Sequence, residues 1–213
     1  MITAGDNSKF GINISDIDKI DKESILGIHC HSGSGIEDIN IWNKNLKILL
    51  ELAGNFPNLE WIDLGGGLGI DIDPLEIDKT LDIDRKELKL FMEPGRYFVS
   101  TAGVLVSNVT QIKRKNEINY LGINTGMNSL IRPALYNAYH DIHNISASYN
   151  RDKKKYTIVG PICESGDIFG TDRLLPETVM EDCILIENCG AYGYTMSSNY
   201  NLREPAEEFI VKI

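Results

Sequence analysis

Residues 160–167 read Gly-Pro-Ile-Cys-Glu-Ser-Gly-Asp and set the Cys163 thiol beside the Glu164 carboxylate, with Asp167 across a Ser-Gly turn. A thiol of tuned pKa can give or take a proton near neutral pH, and glycine lets a backbone close on a ligand. Taken alone, the octapeptide also describes a tight turn around a structural cysteine. Five other stretches share its character. They are His29-Cys30-His31-Ser32-Gly33-Ser34-Gly35, Asp63-Leu64-Gly65-Gly66-Gly67-Leu68-Gly69, Glu93-Pro94-Gly95-Arg96, Arg132-Pro133-Ala134-Leu135-Tyr136, and Gly190-Ala191-Tyr192-Gly193 followed by Ser198-Asn199-Tyr200-Asn201. The first three each follow an apolar run. Loops of this composition present backbone N–H groups without obstructing side chains, which is what a phosphate needs.

The elements that must position these loops are legible in outline. Residues 24–31 predict a short buried strand ending in glycines. Ile39, Trp42, Leu46, Leu49, Leu50 and Ala53 recur at steps of three and four, an amphipathic helix stopped by Gly54-Asn55 and Pro57. Residues 61–64 predict the next strand. Asp73-Pro74-Leu75-Glu76 then reads as an N-cap, a proline at the first helical position and a capping-box acid. Residues 88–92 predict a third strand. This order of strands and helices implies parallel strands joined by helical crossovers, whose glycine loops gather at one end.

Beyond residue 100 the helical rhythm weakens, and β-rich runs at 104–112, 156–159, 183–187 and 208–211 alternate with Gly, Pro and Asn. The expected architecture is therefore α/β plus β, with one domain over residues 1–99 and a mostly antiparallel β domain over 100–213.

Bulk composition narrows the partners. The 213 residues carry a net charge of −10, which argues against nucleic acid and anionic membrane surfaces. A hydrophobic content of 42% supplies a core, and the longest apolar runs are strand-sized rather than membrane-spanning. Cys30, Cys163, Cys183 and Cys189 show neither a C-x-x-C pair nor framework spacing, which favours free thiols in a reducing compartment. The expected location is the cytoplasm. His29 and His31 stand two apart, as a metal pair on one strand face would, but no third ligand is evident and no metal is expected.

Taken together and in this order, the six segments resemble the fold-type III pyridoxal-phosphate-dependent decarboxylases, most closely the diaminopimelate decarboxylases. Cys-Glu-Ser-Gly-Asp paired with Gly-Ala-Tyr-Gly and Ser-Asn-Tyr-Asn is the most specific part of the likeness. The resemblance implies that residues 1–99 are the last strands of a pyridoxal-phosphate-binding TIM barrel. It implies decarboxylation of meso-diaminopimelate to L-lysine and CO2, a lyase step of amino-acid biosynthesis. In such a site His31 stacks on the pyridine ring, and Ser34, Gly67, Pro94, Gly95 and Arg96 surround the phosphate. Glu93 pairs with the pyridine nitrogen, and Tyr192 reaches both cofactor and substrate. Arg96, Arg132 and Tyr136 meet the distal carboxylate, Glu164 meets the distal ammonium, and Cys163 returns a proton to Cα. The family places Cys163 and Glu164 in the neighbouring subunit's site, which implies a homodimer.

Departures from the family pattern set further expectations. The family's Schiff-base lysine lies in a Tyr-Ala-x-Lys strand, and nothing here matches it; the first lysine is Lys9. The resemblance therefore implies a fragment lacking roughly the first five of the barrel's eight strands, truncated also at its end and inactive by itself. Two alternatives stand beside this reading. One is a related decarboxylase of ornithine, lysine or arginine; the other is a non-catalytic paralogue that dimerises with an intact enzyme.

Overall fold

The computed structural model describes residues 8–81, 88–148 and 150–212, and the chain divides into two units, Met1–Phe98 and Val99–Ile213. In the first unit β1 (Gly27–His29), β2 (Trp61–Asp63) and β3 (Lys89–Phe91) form a parallel sheet in that order, with His29 level with Asp63 and Asp63 level with Phe91. Helix α1 (Asn40–Ala53) crosses from β1 to β2, and α2 (Pro74–Thr80) lies between β2 and β3.

Alternation along the strands sends Ile28, Ile62 and Leu90 to one face, where they join Trp42, Leu46 and Leu49 of α1 in a single core. Those three helical residues stand four and three apart and are buried, so the stripe read in the sequence is the packed face. At α2 the Asp73 carboxylate accepts the Leu75 N–H at 2.9 Å and Pro74 opens the helix. The Glu76 carboxylate accepts Lys79 Nζ at 2.6 Å, one helical turn ahead.

The opposite face of the sheet carries His29, Trp61, Asp63 and Phe91, none of them buried. Trp61 and Phe91 meet edge to face with ring centroids 6.0 Å apart. Gly27 is level with Trp61, and a Cβ there would stand 1.9 Å from the indole.

The second unit is a six-stranded sheet in the order β6-β9-β4-β5-β7-β8. Its strands are β4 (Leu105–Lys115), β5 (Ile118–Ile123), β6 (Ile142–Asn144), β7 (Lys153–Val159), β8 (Ile168–Pro176) and β9 (Cys183–Ile186), with α4 (Arg132–Tyr136) between β5 and β6; a five-residue helix, α3 (Gly95–Val99), follows β3. Every pairing in this sheet is antiparallel except β5 with β7. β4 is shared along its length, its first half on β9 and its second half on β5, with a register shift between Val109 and Gln111. Val109, Leu121, Ile123, Ile158, Phe169, Ile184 and Ile186 form the core.

Three sequence expectations need correction. The strand expected over 24–31 shrinks to Gly27–His29: Ser24 ends a 3-10 turn and His29 is exposed. The β-rich run at 208–211 is not a strand; Phe209, Ile210 and Val211 are at least 79% exposed, because β-propensity without a pairing edge fixes no ladder. Strands β5, β6 and β8 lie outside the β-rich runs of the sequence. β5 is entered through Asn116 and Glu117, both at positive φ in a two-residue hairpin turn, and glutamate disguises that turn.

Candidate functional site

The carboxyl-terminal ends of β1–β3 carry one cluster. Because the strands are in register, His29, Asp63 and Glu93 come from three different strand ends to within 4.8 Å of one another through their donor atoms. His29 Nε2 lies 3.4 Å from Glu93 Oε2, and Asp63 Oδ1 accepts the Gly65 N–H at 2.7 Å. Among the described residues this is the one trio of His, Cys, Asp or Glu with donor spacing suited to a cation, and it differs from the His29–His31 pair suggested by the sequence. His31 lies past the end of β1, and its Nδ1 accepts the Gly66 N–H at 3.3 Å.

The loops after the three strands are laced together by backbone. Glu93 N–H donates to Gly65 O at 2.9 Å and Ile36 N–H to Gly67 O at 2.7 Å. Gly67 stands at φ +103°, and a Cβ on it would meet Gly33 O at 2.2 Å. A Cβ on Gly66 would meet Glu93 O at 2.6 Å, so these glycines are required by loop-on-loop approach as well as by any ligand.

Arg96 donates from Nη2 to Ser34 Oγ, and its buried Nε has no hydrogen-bond partner among the described residues. Beside them Gly33, at φ +138°, has open space where a side chain would project. A cation with a buried unused donor, a hydroxyl and a glycine loop together suit a phosphate. Pro94 and Gly95 carry Arg96 into place, Gly95 N–H closing on Glu93 O at 2.8 Å. Burial and the Asp63 carboxylate push the neighbouring Cys30 thiol up to about 11.

The second unit presents Cys163 and Glu164 on an exposed loop fixed by Asp167. Asp167 Oδ1 accepts the Met127 N–H and Oδ2 the Ile162 N–H, both at 2.7 Å. Its own carbonyl takes the Gly160 N–H at 3.0 Å. Burial raises the Asp167 carboxyl above its ordinary value, against the pull of the two N–H groups. Glu164 Oε1 accepts the hydroxyl of Tyr200.

Arg132 is buried, 7% exposed. Its Nη1 lies 3.1 Å from His140 Nε2, while His140 Nδ1 lies 2.8 Å from the Glu187 carbonyl. A carbonyl only accepts, so the imidazole proton sits on Nδ1 and Nε2 accepts from the guanidinium. Tyr136 ends the same short helix, 38% exposed. Tyr192 is exposed at φ +58°, between Gly190 and Gly193, which stand where a Cβ would collide with backbone oxygens.

His29, Asp63 and Tyr200 are the polar residues that sequence reasoning missed as site members. His29 opens the 29–35 glycine segment, Asp63 opens the 63–69 segment, and Tyr200 lies in the Ser-Asn-Tyr-Asn run.

Comparison with known proteins identifies the family. Residues 1–100 match the pyridoxal binding domain of the pyridoxal-dependent decarboxylases, and residues 96–190 match their C-terminal sheet domain. The chain belongs to the pyridoxal-dependent decarboxylase family. Within that family, a diaminopimelate decarboxylase of Aquifex aeolicus is 35% identical over all of this chain and 55% of its own length. A crystal structure of an Aquifex aeolicus protein aligns with TM-score 0.79 at 35% identity, covering 93% of this chain and 54% of that one. A Methanocaldococcus jannaschii diaminopimelate decarboxylase in co-complex with L-lysine aligns with TM-score 0.70 at 34% identity, covering 84% and 45%. The chain thus spans about half the length of the curated relatives it matches.

Proposed function

We propose that the chain is the carboxyl-terminal part of a pyridoxal-phosphate-dependent enzyme that decarboxylates meso-diaminopimelate to L-lysine and CO2. The observation that carries this reading is the convergence of three glycine loops on Glu93, His31 and the underused Arg96 guanidinium at one sheet end. The relatives named above supply the reaction class.

In this reading Ser34, Gly67, Gly95 and Arg96 would hold the cofactor phosphate, His31 would stack on its ring, and Tyr192 would contact the cofactor. When bound, the cofactor acts as an electron sink for the pair released at Cα. Glu93, an anion at a strand end, would pair with the ring nitrogen and favour its protonated form. Arg96, Arg132 and Tyr136 bind the distal carboxylate of the substrate, and Glu164 its distal ammonium. The Cα–carboxylate bond breaks, CO2 leaves, and the Cys163 Sγ–H delivers a proton to Cα. Cys163 and Glu164 serve the site of the neighbouring subunit in a homodimer, consistent with their exposure on the unit that carries them. The enzyme works in the cytoplasm on a free amino acid. The two domains of the reading are residues 1–99 and 100–213.

The test joins residue 1 to the part of the Aquifex aeolicus relative that precedes its matched segment. Lysine and CO2 release is then followed with meso-diaminopimelate, lysine and ornithine as substrates. Fastest turnover of diaminopimelate is the expected result. Preference for ornithine or lysine replaces the substrate assignment, and a folded, cofactor-loaded dimer that turns over none of the three sinks the reading.

A further inference from the structure

We infer that Tyr200 is a specificity-determining positioning residue that aims the Glu164 carboxylate at a cationic substrate group. The proposal rests on the functional reading above for the nature of that group, and on geometry for the rest. Tyr200 donates its hydroxyl to Glu164 Oε1. Among the described residues, Glu164 Oε2 carries no hydrogen-bond partner, so one oxygen is occupied and the other is presented. Both side chains are exposed, and a free carboxylate there would otherwise sample its rotamers in water.

The contact is prepared from both sides by one turn. Asp167 binds the Met127 N–H and thereby fixes the loop that bears Glu164. The next residue, Asn128, accepts the Ser198 N–H on its carbonyl at 2.9 Å and donates from Nδ2 to the carbonyls of Arg203 and Glu204, each at 3.2 Å. Ser129 Oγ accepts the Ala206 N–H at 3.0 Å. Residues 127–129 therefore hold the 198–206 segment, which carries Tyr200 at the start of a 3-10 turn, and the Glu164 loop against each other, which an incidental meeting of two surface side chains would not require. The same proximity raises the Tyr200 phenol above its ordinary value, through the hydrogen bond to Glu164 and then its charge. A neutral phenol is thus the form that meets the carboxylate throughout the working pH range.

Tyr200 acts through Glu164, so its removal loosens binding of the ammonium without touching the proton transfer. Two measurements test this. In the 213-residue chain carrying isotope-labelled tyrosine, the resonance lost in Tyr200→Phe should titrate above 10.0 in the unmodified protein. It should return towards that value in Glu164→Gln. In the joined enzyme, with whichever of diaminopimelate, lysine and ornithine is decarboxylated fastest, Tyr200→Phe should raise KM roughly tenfold, the worth of one hydrogen bond to a charged group, and leave kcat within about twofold. On a Glu164→Gln background it should add nothing. The proposal is overturned if Tyr200 titrates identically with and without the Glu164 charge, if Tyr200→Phe keeps its full effect on the Glu164→Gln background, or if kcat falls with KM unchanged. A best substrate other than diaminopimelate would refute the substrate assignment while leaving each of these outcomes readable.

Discussion

The Asp167 carboxylate accepts the Met127 N–H at 2.7 Å, which ties the loop bearing Cys163 and Glu164 to the turn that follows β5. The second oxygen takes Ile162 N–H at the same distance, so one buried anion satisfies two backbone donors. Asp167→Ala orphans both donors, and a loss of about 2 kcal/mol is expected, since an unsatisfied buried donor costs about 1–3 kcal/mol. The pH dependence has a definite sign. The folded carboxyl titrates above 3.8, so the stability this group contributes is full below that value and declines as pH rises through the raised folded pKa. Urea midpoints across that acid range should fall with rising pH in the parent and vary less in Asp167→Asn. An unchanged slope in Asp167→Asn would show that another group governs the range.

Cys163→Ala in the joined enzyme should lower kcat by roughly 10²–10⁴-fold, the usual contribution of a general acid, with little effect on substrate binding. Mixing these subunits with subunits lacking the Schiff-base lysine should recover activity, because one site of the mixed dimer holds both intact groups. Mixed dimers without activity would place Cys163 outside the neighbour's site.

Glu164→Gln keeps the size and a hydrogen-bonding capacity but removes the charge. Truncating one partner of a buried charge pair costs about 2–5 kcal/mol, and that loss should appear in kcat/KM for diaminopimelate. Lysine lacks the distal carboxylate and should remain a poor substrate for the unmodified enzyme. Steady-state comparison of both substrates on both forms checks this.

All four cysteines are free, and three of them should react in a set order. Cys163 is exposed, whereas burial pushes the Cys30 and Cys189 thiols up to about 11. At a pH of about 8.5, roughly one in three hundred molecules of such a thiol is ionised, and the thiolate is the nucleophile. Iodoacetamide should therefore label Cys163 well before Cys30 or Cys189, as peptide mass spectrometry would resolve. Raising the pH towards 11 should close the gap. Equal labelling at the lower pH would mean that the loops over Cys30 and Cys189 open freely.

Much of the first unit is legible along the chain. Trp42, Leu46 and Leu49 announce α1 because one face of a helix repeats at three and four residues, and that face is what packs. Asp73 and Pro74 announce α2 because capping is a contact between near neighbours. The glycine loops mark the ends of β1, β2 and β3. Sequence alone misjudges segments whose local pattern does not report their pairing: β5 is hidden behind Glu117, β6 is three residues long, and residues 209–211 have the composition of a strand without its pairing.

The candidate site divides in the same way. Cys163, Glu164 and Asp167 are legible as a motif because they lie in one turn. That Asp167 holds two backbone donors, that Tyr200 reaches Glu164, and that His29, Asp63 and Glu93 meet at one end of the sheet depend on register and loop closure. Local sequence determines residue type, periodicity and capping, since these interactions span a few residues. Tertiary structure decides which distant side chains meet, because parallel register and buried backbone hydrogen bonds are satisfied between segments and leave no local pattern.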